Sequence, residues 1–233
     1  MNRRGLLLTL ASAGSAMAMG AAGARPLTDW LQDARIARRF LAAGIAVHSY
    51  TVMSSSMLPT IALDDALLGD LRAAGAPPAR GEIIVFRHSN GEAWIKRAVG
   101  LPGDRVAFRN WRLILNDAEV PRLDAGQGEF TTAHGRQTLS VASEAPPGAR
   151  AYQIVNGADE PESLSMFADT PEIEVEAGRV YVLGDNRGQS IDSRSPMMGT
   201  IAIDAILARV VYRLSPNPDW LAPEQSVLGL PAE

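Results

Sequence analysis

The sequence contains no cysteine and only three histidines, His48, His88 and His134. Without cysteine, thiol catalysis, disulfides and thiolate metal sites are excluded. The histidines are not spaced as paired metal ligands, so we predict no metal site. His88 precedes a Ser-Asn-Gly turn sequence, which disfavours a Ser-His-Asp triad built on it.

Basic residues form no long block beyond the N-terminus, and the net charge is −4. Neither feature indicates a nucleic-acid-binding surface, so we expect no DNA or RNA partner. The chain of 233 residues is 46% apolar. That content is enough to bury the core of one domain, alone or with an added extension.

The first 24 residues have the layout of a membrane anchor or an export signal. Arg3 and Arg4 precede twenty uncharged residues, 5–24. A helix of that length, at about 1.5 Å per residue, just spans a hydrocarbon core of about 30 Å. The second half is mostly alanine, glycine and serine, and it contains small-residue motifs typical of export-signal cleavage sites. Both interpretations stay open, and both place the rest of the chain outside the cytoplasm.

Hydrophobic periodicity predicts a mainly β protein. Residues 25–48 are expected to form an amphipathic or juxtamembrane helix, because apolar residues recur there at helical spacing between arginines. From residue 49 onward, short apolar runs bounded by glycine, proline or Asn-Asp predict strands. We predict a catalytic β core from residues 49–108 and 179–214, an inserted β extension at 109–178, and a surface tail at 215–233.

Three segments contain the residue types of a serine–lysine catalytic site. Residues 54–60 (SSSMLPT) place Ser56 near the end of a predicted strand, and residues 94–104 (WIKRAVGLPGD) contain Lys96. Residues 184–194 (GDNRGQSIDSR) supply further polar groups. The order along the chain is therefore a candidate nucleophile, a candidate base and a polar cluster.

The chemistry of such a pair requires an uncharged lysine. A serine hydroxyl is a poor nucleophile unless a neutral base lies within hydrogen-bond reach. Burial in an apolar pocket can lower a lysine pKa from about 10.4 to about 7–8. On a strand, side chains alternate, so Lys96 shares one face with Trp94 and Ala98 while Arg97 points to the other, free to reach solvent or an acid.

These segments resemble the signature segments of bacterial type I signal peptidases, which are membrane-bound serine proteases that remove signal peptides from exported proteins. The resemblance runs from about Tyr50 to Val211, with dense matches at residues 54–60, 81–86, 94–106 and 181–199. It implies an antiparallel β-sheet catalytic core of the signal-peptidase and LexA-like type, with an N-terminal hydrophobic helix. It also favours an anchored protein over one whose first segment is removed.

The resemblance also implies roles for individual residues. Ser56 corresponds to the nucleophile and Lys96 to the general base. Ser54 corresponds to the serine that donates to the oxyanion together with the nucleophile's own N–H, and Ser190 to the serine that hydrogen-bonds the catalytic lysine. The family's usual Pro-Ser-Gly-Ser is Met-Ser-Ser-Ser in this sequence, at residues 53–56.

Four further residues are expected to support the site structurally. Asp185 and Asn186 are predicted to supply turn hydrogen bonds. Asp192 and Arg194, two apart on one strand face, are predicted to form an ion pair that braces the segment.

The resemblance therefore implies a serine endopeptidase that acts through an acyl-enzyme. Its substrates would be secretory precursors bearing signal peptides, held extended against a strand edge and cleaved after small residues of the Ala-x-Ala type. The protein would be single-pass in the bacterial inner membrane, in contact with membrane lipid, with its catalytic domain on the periplasmic face. No cofactor is expected, since a hydroxyl and an amine suffice.

Alternatives stay open beside this prediction. One is a specialised relative that processes conjugation or pilus precursors. A self-cleaving repressor of the LexA type is disfavoured, because it would need a DNA-binding helix-turn-helix and no export segment. A third is a non-catalytic envelope protein that uses its β surface only to bind peptides, although intact Ser56 and Lys96 weigh against it.

Overall fold

The computed structural model describes residues 27–132, 134–155, 166–215 and 217–228, and this part contains two α-helices and fifteen strands. The helices are α1 (Leu27–Ala42) and α2 (Glu224–Leu228). The strands, in chain order, are β1 Val47–Thr51, β2 Ala66–Asp70, β3 Ile83–Arg87, β4 Ala93–Gly100, β5 Arg105–Arg109, β6 Arg112–Leu115, β7 Ala118–Glu119, β8 Arg122–Thr132, β9 Gly135–Glu144, β10 Tyr152–Val155, β11 Thr170–Glu174, β12 Arg179–Leu183, β13 Ile201–Ala202, β14 Ile206–Ser215 and β15 Asp219–Trp220. The prediction of a mainly antiparallel β protein is confirmed.

The largest sheet has the strand order β1-β2-β14-β3-β4-β12-β13, with β15 paired to β14. All of these pairs are antiparallel. Strand β14, from the C-terminal half of the chain, lies between β2 and β3 from the N-terminal half. The two halves of the predicted core are therefore joined by backbone hydrogen bonds at the centre of the sheet.

Two smaller sheets contain the remaining strands. One has the order β10-β9-β8 and includes the long β8–β9 hairpin, and the other has the order β11-β5-β6-β7. Strand β5, which the sequence assigned to the core, pairs with β6 and β11 from the segment assigned to the extension. The boundary between core and extension stays a prediction.

Helix α1 and the C-terminal residues pack together against the large sheet. Ile36 and Phe40, one helical turn apart, are buried in a cluster with Tyr212 and Val227. The Phe40 ring lies 5.8 Å from that of Trp220. The residues of the predicted surface tail that the structure describes therefore pack into the protein, because their apolar side chains cover the inner face of α1.

The helix predicted over residues 25–48 is shorter than expected, since α1 ends at Ala42 and β1 begins at Val47. The predicted anchor or signal at residues 1–24 lies outside the described residues. Among the residues that the structure does describe, no helix combines the length and the apolar character needed to span a membrane.

Candidate active site

Ser56 lies just beyond β1, in a turn that is anchored by backbone hydrogen bonds on one side and by a buried side chain on the other. Before the turn, the Val52 N–H donates to the Asp65 carbonyl at 2.9 Å, and the Val52 carbonyl accepts from the Asp64 N–H at 2.9 Å. The chain then leaves the sheet, and Met57 is buried in the cluster below. Ser56 therefore sits at the boundary between the core and solvent, with 7% of its surface exposed.

Lys96 extends from β4 toward Ser56. Its Nζ is hydrogen-bonded to Ser56 Oγ at 2.8 Å and donates to the Ile95 carbonyl at 3.1 Å. The residue is only 4% exposed. Burial lowers the Lys96 pKa to about 8, while the carboxylates of Asp192 and Asp185 act in the opposite direction. A substantial fraction of the amine is consequently neutral near physiological pH.

The two supporting serines occupy different environments. Ser54 is exposed, and its Oγ lies 3.1 Å from Ser56 Oγ. Ser190 is buried, and its Oγ has no hydrogen-bond partner among the described residues. The hydrogen bond from Ser190 to Lys96 that the resemblance implies is thus not formed in this structure, where the amine bonds to Ser56 and Ile95 instead. The roles of both serines stay predictions.

Asp185 binds Arg97 rather than supplying turn hydrogen bonds. Arg97 Nε donates to Asp185 Oδ1 at 2.7 Å, and Arg97 Nη2 donates to Oδ2 at 2.5 Å. Thr60 Oγ1 also donates to Asp185 Oδ2, at 2.6 Å. Strand alternation explains the pair, because Arg97 points away from the face of Lys96 and reaches the segment that contains Asp185. Of the two partners expected for Arg97, solvent or an acid, the structure therefore has the acid.

Asn186 connects the polar segment to the serine turn. Its backbone N–H donates to the Ser56 carbonyl at 3.0 Å. Its side-chain Nδ2 donates to the Ser55 carbonyl at 3.2 Å. These two bonds attach residues 184–189 to the backbone of the candidate nucleophile and of its neighbour Ser55.

Asp192 and Arg194 form a buried ion pair, with Arg194 Nη2 2.8 Å from Asp192 Oδ2 and Nε 2.9 Å from Oδ1. Burial alone would raise the Asp192 pKa, but Arg194 and the Gly184 N–H hold it below its ordinary value. The residues do not lie on a strand, as the alternation suggested, but in a turn between β12 and β13. The Arg194 guanidinium also packs 5.2 Å from the Phe108 ring.

A cavity of about 440 Å³ opens beside the serine–lysine pair. It is lined by residues 51–54, 56, 57, 61, 92–96, 189 and 191. Strand β4 pairs with β3 from Ala93, but with β12 only from Arg97, so in the described structure its second edge is unpaired at residues 93–96. Strand β1 is the outermost strand of the same sheet. Within the described residues, the cavity is therefore bordered by the unpaired edge of β4 and by the outer edge of β1 with the residues that follow it.

A buried cluster next to this site was not predicted from the sequence. Glu144, at the end of β9, is 1% exposed and accepts hydrogen bonds from Arg187 and Arg122. Burial would raise the Glu144 pKa, but the two arginines hold it below its ordinary value. Arg187 belongs to the polar segment 184–194 that the sequence had already singled out. Nothing in the local sequence around Glu144 indicated a buried carboxylate. Within the described residues, no group of histidine and acidic side chains could hold a metal ion.

The fold is mainly antiparallel β, and a buried serine–lysine pair lies at the wall of an open cavity. This arrangement makes the chain a candidate serine–lysine hydrolase. The comparison with known families is more specific. The family model described as signal peptidase, peptidase S26, matches residues 32–215. The chain belongs to this family, and the resemblance found in the sequence is confirmed.

Two relatives found by sequence agree with this assignment. The chain is 28% identical over 197 residues to a signal peptidase I of Rickettsia bellii (strain OSU 85-389), covering 72% of this chain and 65% of that relative. It is 30% identical over 169 residues to a signal peptidase I of Bacillus caldolyticus, covering 72% and 79%. The chain thus spans just under two thirds of the length of the Rickettsia protein. A crystal structure of a signal peptidase I from Enterococcus faecalis matches with a TM-score of 0.33 and 23% identity, covering 57% of this chain and 95% of that one.

Proposed function

We propose that this protein is a serine endopeptidase that removes signal peptides from exported precursor proteins. The observation that carries the proposal is the 2.8 Å hydrogen bond between Ser56 Oγ and Lys96 Nζ, at the wall of an open cavity. The family membership and the names of the relatives support the same activity.

In the proposed mechanism, neutral Lys96 accepts the proton of Ser56 as the oxygen attacks the scissile carbonyl. Collapse of the tetrahedral intermediate breaks the C–N bond, and the lysine returns the proton to the departing amine of the mature protein. The signal peptide is left as an ester on Ser56. A water molecule, deprotonated by the same lysine, then hydrolyses the ester and restores the enzyme.

The negative charge on the tetrahedral oxygen would be stabilised by two donors on the serine turn. The Ser56 N–H makes no hydrogen bond to the described residues and is available to the substrate. The Ser54 hydroxyl, 3.1 Å from Ser56 Oγ, is the second donor. Donors that are already oriented stabilise the charge as it develops and need no rearrangement.

We further propose that the substrate lies extended between residues 51–54 and the free edge of β4 at 93–96. Backbone hydrogen bonds to both segments would hold it in register, and alternate side chains would enter the cavity. Small residues of the Ala-x-Ala type fit because Met57, Ile61 and Trp94 already occupy part of the wall. Precursors reach such a site at the outer face of the inner membrane, so membrane lipid is a second partner.

The proposal is tested by cleavage of a purified precursor with Ala-x-Ala before the scissile bond. The full chain, in detergent micelles, is compared with Ser56→Ala and Lys96→Arg, and Ser49→Ala, exposed on β1 outside the cavity, is the control. Arginine keeps the charge but does not deprotonate, so it cannot act as the base. We expect cleavage by the parent and the control only.

Turnover by either active-site variant would contradict the serine–lysine pair. If the parent itself cleaves no precursor but binds signal peptides, the protein is a peptide-binding envelope protein instead. A second precursor, with a bulky residue in place of the last alanine, tests the substrate class. Equal cleavage of both precursors would contradict the preference for small residues.

A further inference from the structure

We infer that Glu144 is a positioning residue for the candidate nucleophile. It acts through Arg187 and the segment 184–189, which together fix the position of the Ser56 backbone. Glu144 belongs to the three-stranded sheet β8–β10, outside the sheet that supplies Lys96. Within the described residues, no hydrogen bond joins it to Ser56 or Lys96. The inference rests on the proposed function, because it assigns a role in the same site.

The first link is the ion pair between Glu144 and Arg187. Arg187 Nη1 donates to Glu144 Oε1 at 2.7 Å, and Arg187 Nη2 donates to Oε2. Both side chains are 1% exposed. A bidentate contact fixes the plane of the guanidinium as well as its distance. A buried charge of this kind cannot turn to solvent, so the conformation of Arg187 is determined by the position of Glu144.

The second link runs from Arg187 to its own backbone segment. Arg187 Nε donates to the Gly184 carbonyl at 3.3 Å, and the Arg187 N–H donates to the Val155 carbonyl at 3.2 Å. The Val155 N–H in turn donates to the Asp185 carbonyl at 2.9 Å. The three-stranded sheet therefore holds this segment by backbone bonds from β10 and by the side-chain pair from β9.

The third link joins the segment to the nucleophile. The Asn186 N–H donates to the Ser56 carbonyl, and Asn186 Nδ2 donates to the Ser55 carbonyl. A Cβ placed on Gly184 would collide with the Ser190 side chain and with the same Ser56 carbonyl oxygen, so the segment packs tightly against the serine turn. A displacement of residues 184–189 must therefore move the backbone of Ser56 relative to Lys96. A shift of about 1 Å in such a group can cost about 100-fold in rate.

Arg122 provides a matched control. Its side chain is 6% exposed, and it donates to Glu144 Oε1 at 2.8 Å and to the Trp111 carbonyl. Neither of these bonds involves the segment 184–189. Loss of either Glu144 or Arg122 disrupts the same buried cluster. Only the loss of Glu144 releases Arg187, so the two variants separate positioning from general stabilisation.

The experiment compares the parent with Glu144→Gln and Arg122→Gln, with kcat and KM given per folded molecule. We expect Glu144→Gln to lower kcat about 10- to 100-fold with KM unchanged within about 2-fold. Arg122→Gln should keep kcat within about 2-fold while lowering stability. Equal kcat values for the two variants would overturn the inference.

Hydrogen exchange gives a readout that needs no turnover. We expect faster exchange of the amides in residues 54–60 and 184–190 of Glu144→Gln, and parental exchange there in Arg122→Gln. If the parent cleaves no precursor, the proposed function fails, while this measurement still decides the inference. Parental exchange in Glu144→Gln would overturn it.

Arg187→Lys serves as a second variant, which is decisive if Glu144→Gln does not fold. Lysine keeps the charge but not the bidentate contact with Glu144. We expect the same fall in kcat and the same faster exchange. Parental kcat and exchange in Arg187→Lys would show that charge alone suffices, and would overturn the inference.

Discussion

Lys96 is the only lysine in the sequence, and its burial gives the protein a specific dependence of stability on pH. Its pKa is about 8 in the folded protein against 10.5 for an unperturbed lysine, mainly because of burial. At about 1.36 kcal/mol per pKa unit, this difference corresponds to about 3 kcal/mol. Well below pH 8 the lysine is charged in both states, so the folded state bears the full cost. Between pH 8 and 10.5 the unfolded state binds more protons, and stability rises with pH.

The substitution Lys96→Met removes this cost at similar side-chain volume. At about pH 7 we expect the variant to be more stable than the parent by about 1–3 kcal/mol. The lower value allows for two lost hydrogen bonds, each worth about 1 kcal/mol. At about pH 9.5 the advantage should shrink by about 2 kcal/mol, because the parent lysine is then neutral in the folded state.

Urea unfolding of both proteins at the two pH values measures the difference. All other titrating groups are shared, so the change in the difference between the two pH values isolates Lys96. A difference in the free energy of unfolding that does not depend on pH would refute the reasoning. So would a parent that is more stable than Lys96→Met at about pH 7.

Three further substitutions test the surroundings of the pair. Ser54→Ala removes the proposed oxyanion donor, and we expect kcat to fall about 10²–10³-fold at unchanged stability; a smaller effect in a precursor-cleavage assay would contradict that role. Gly184→Ala places a methyl group against both the Ser190 side chain and the Ser56 carbonyl, so we expect a loss of cleavage that greatly exceeds the loss of folded protein measured by circular dichroism. Asp185→Asn leaves the buried Arg97 without its carboxylate, and we expect about 3–5 kcal/mol of destabilisation in urea unfolding; a variant as stable as the parent would contradict the importance of this pair.

The part of the site that sequence analysis predicted depends on local pattern. Lys96 and Arg97 are neighbours on β4, and alternation alone places them on opposite faces. The structure has Lys96 at Ser56 and Arg97 at Asp185. The turn after β1 was indicated by Pro59, which cannot continue a strand and therefore places Ser56 near the strand's end.

Contacts between distant segments could not be predicted in this way. Glu144 and Arg187 are separated by 43 residues, and the strand that contains Glu144 gave only a weak signal. Nothing local distinguishes a carboxylate that is buried by a distant arginine from one that faces solvent. The same limit applies to the C-terminal residues, where proline content suggested a surface tail although Val227 packs into the core.

The central claim is that burial beside Ser56 lowers the pKa of the Lys96 amine far enough for its neutral form to act as a base. Because the chain has a single lysine, labelling with ¹³Cε-lysine gives one side-chain signal, and its chemical shift can be followed from about pH 6 to about pH 11. We predict one titration with a midpoint of about 8. A midpoint close to 10.5, the value for a lysine in water, would contradict the account.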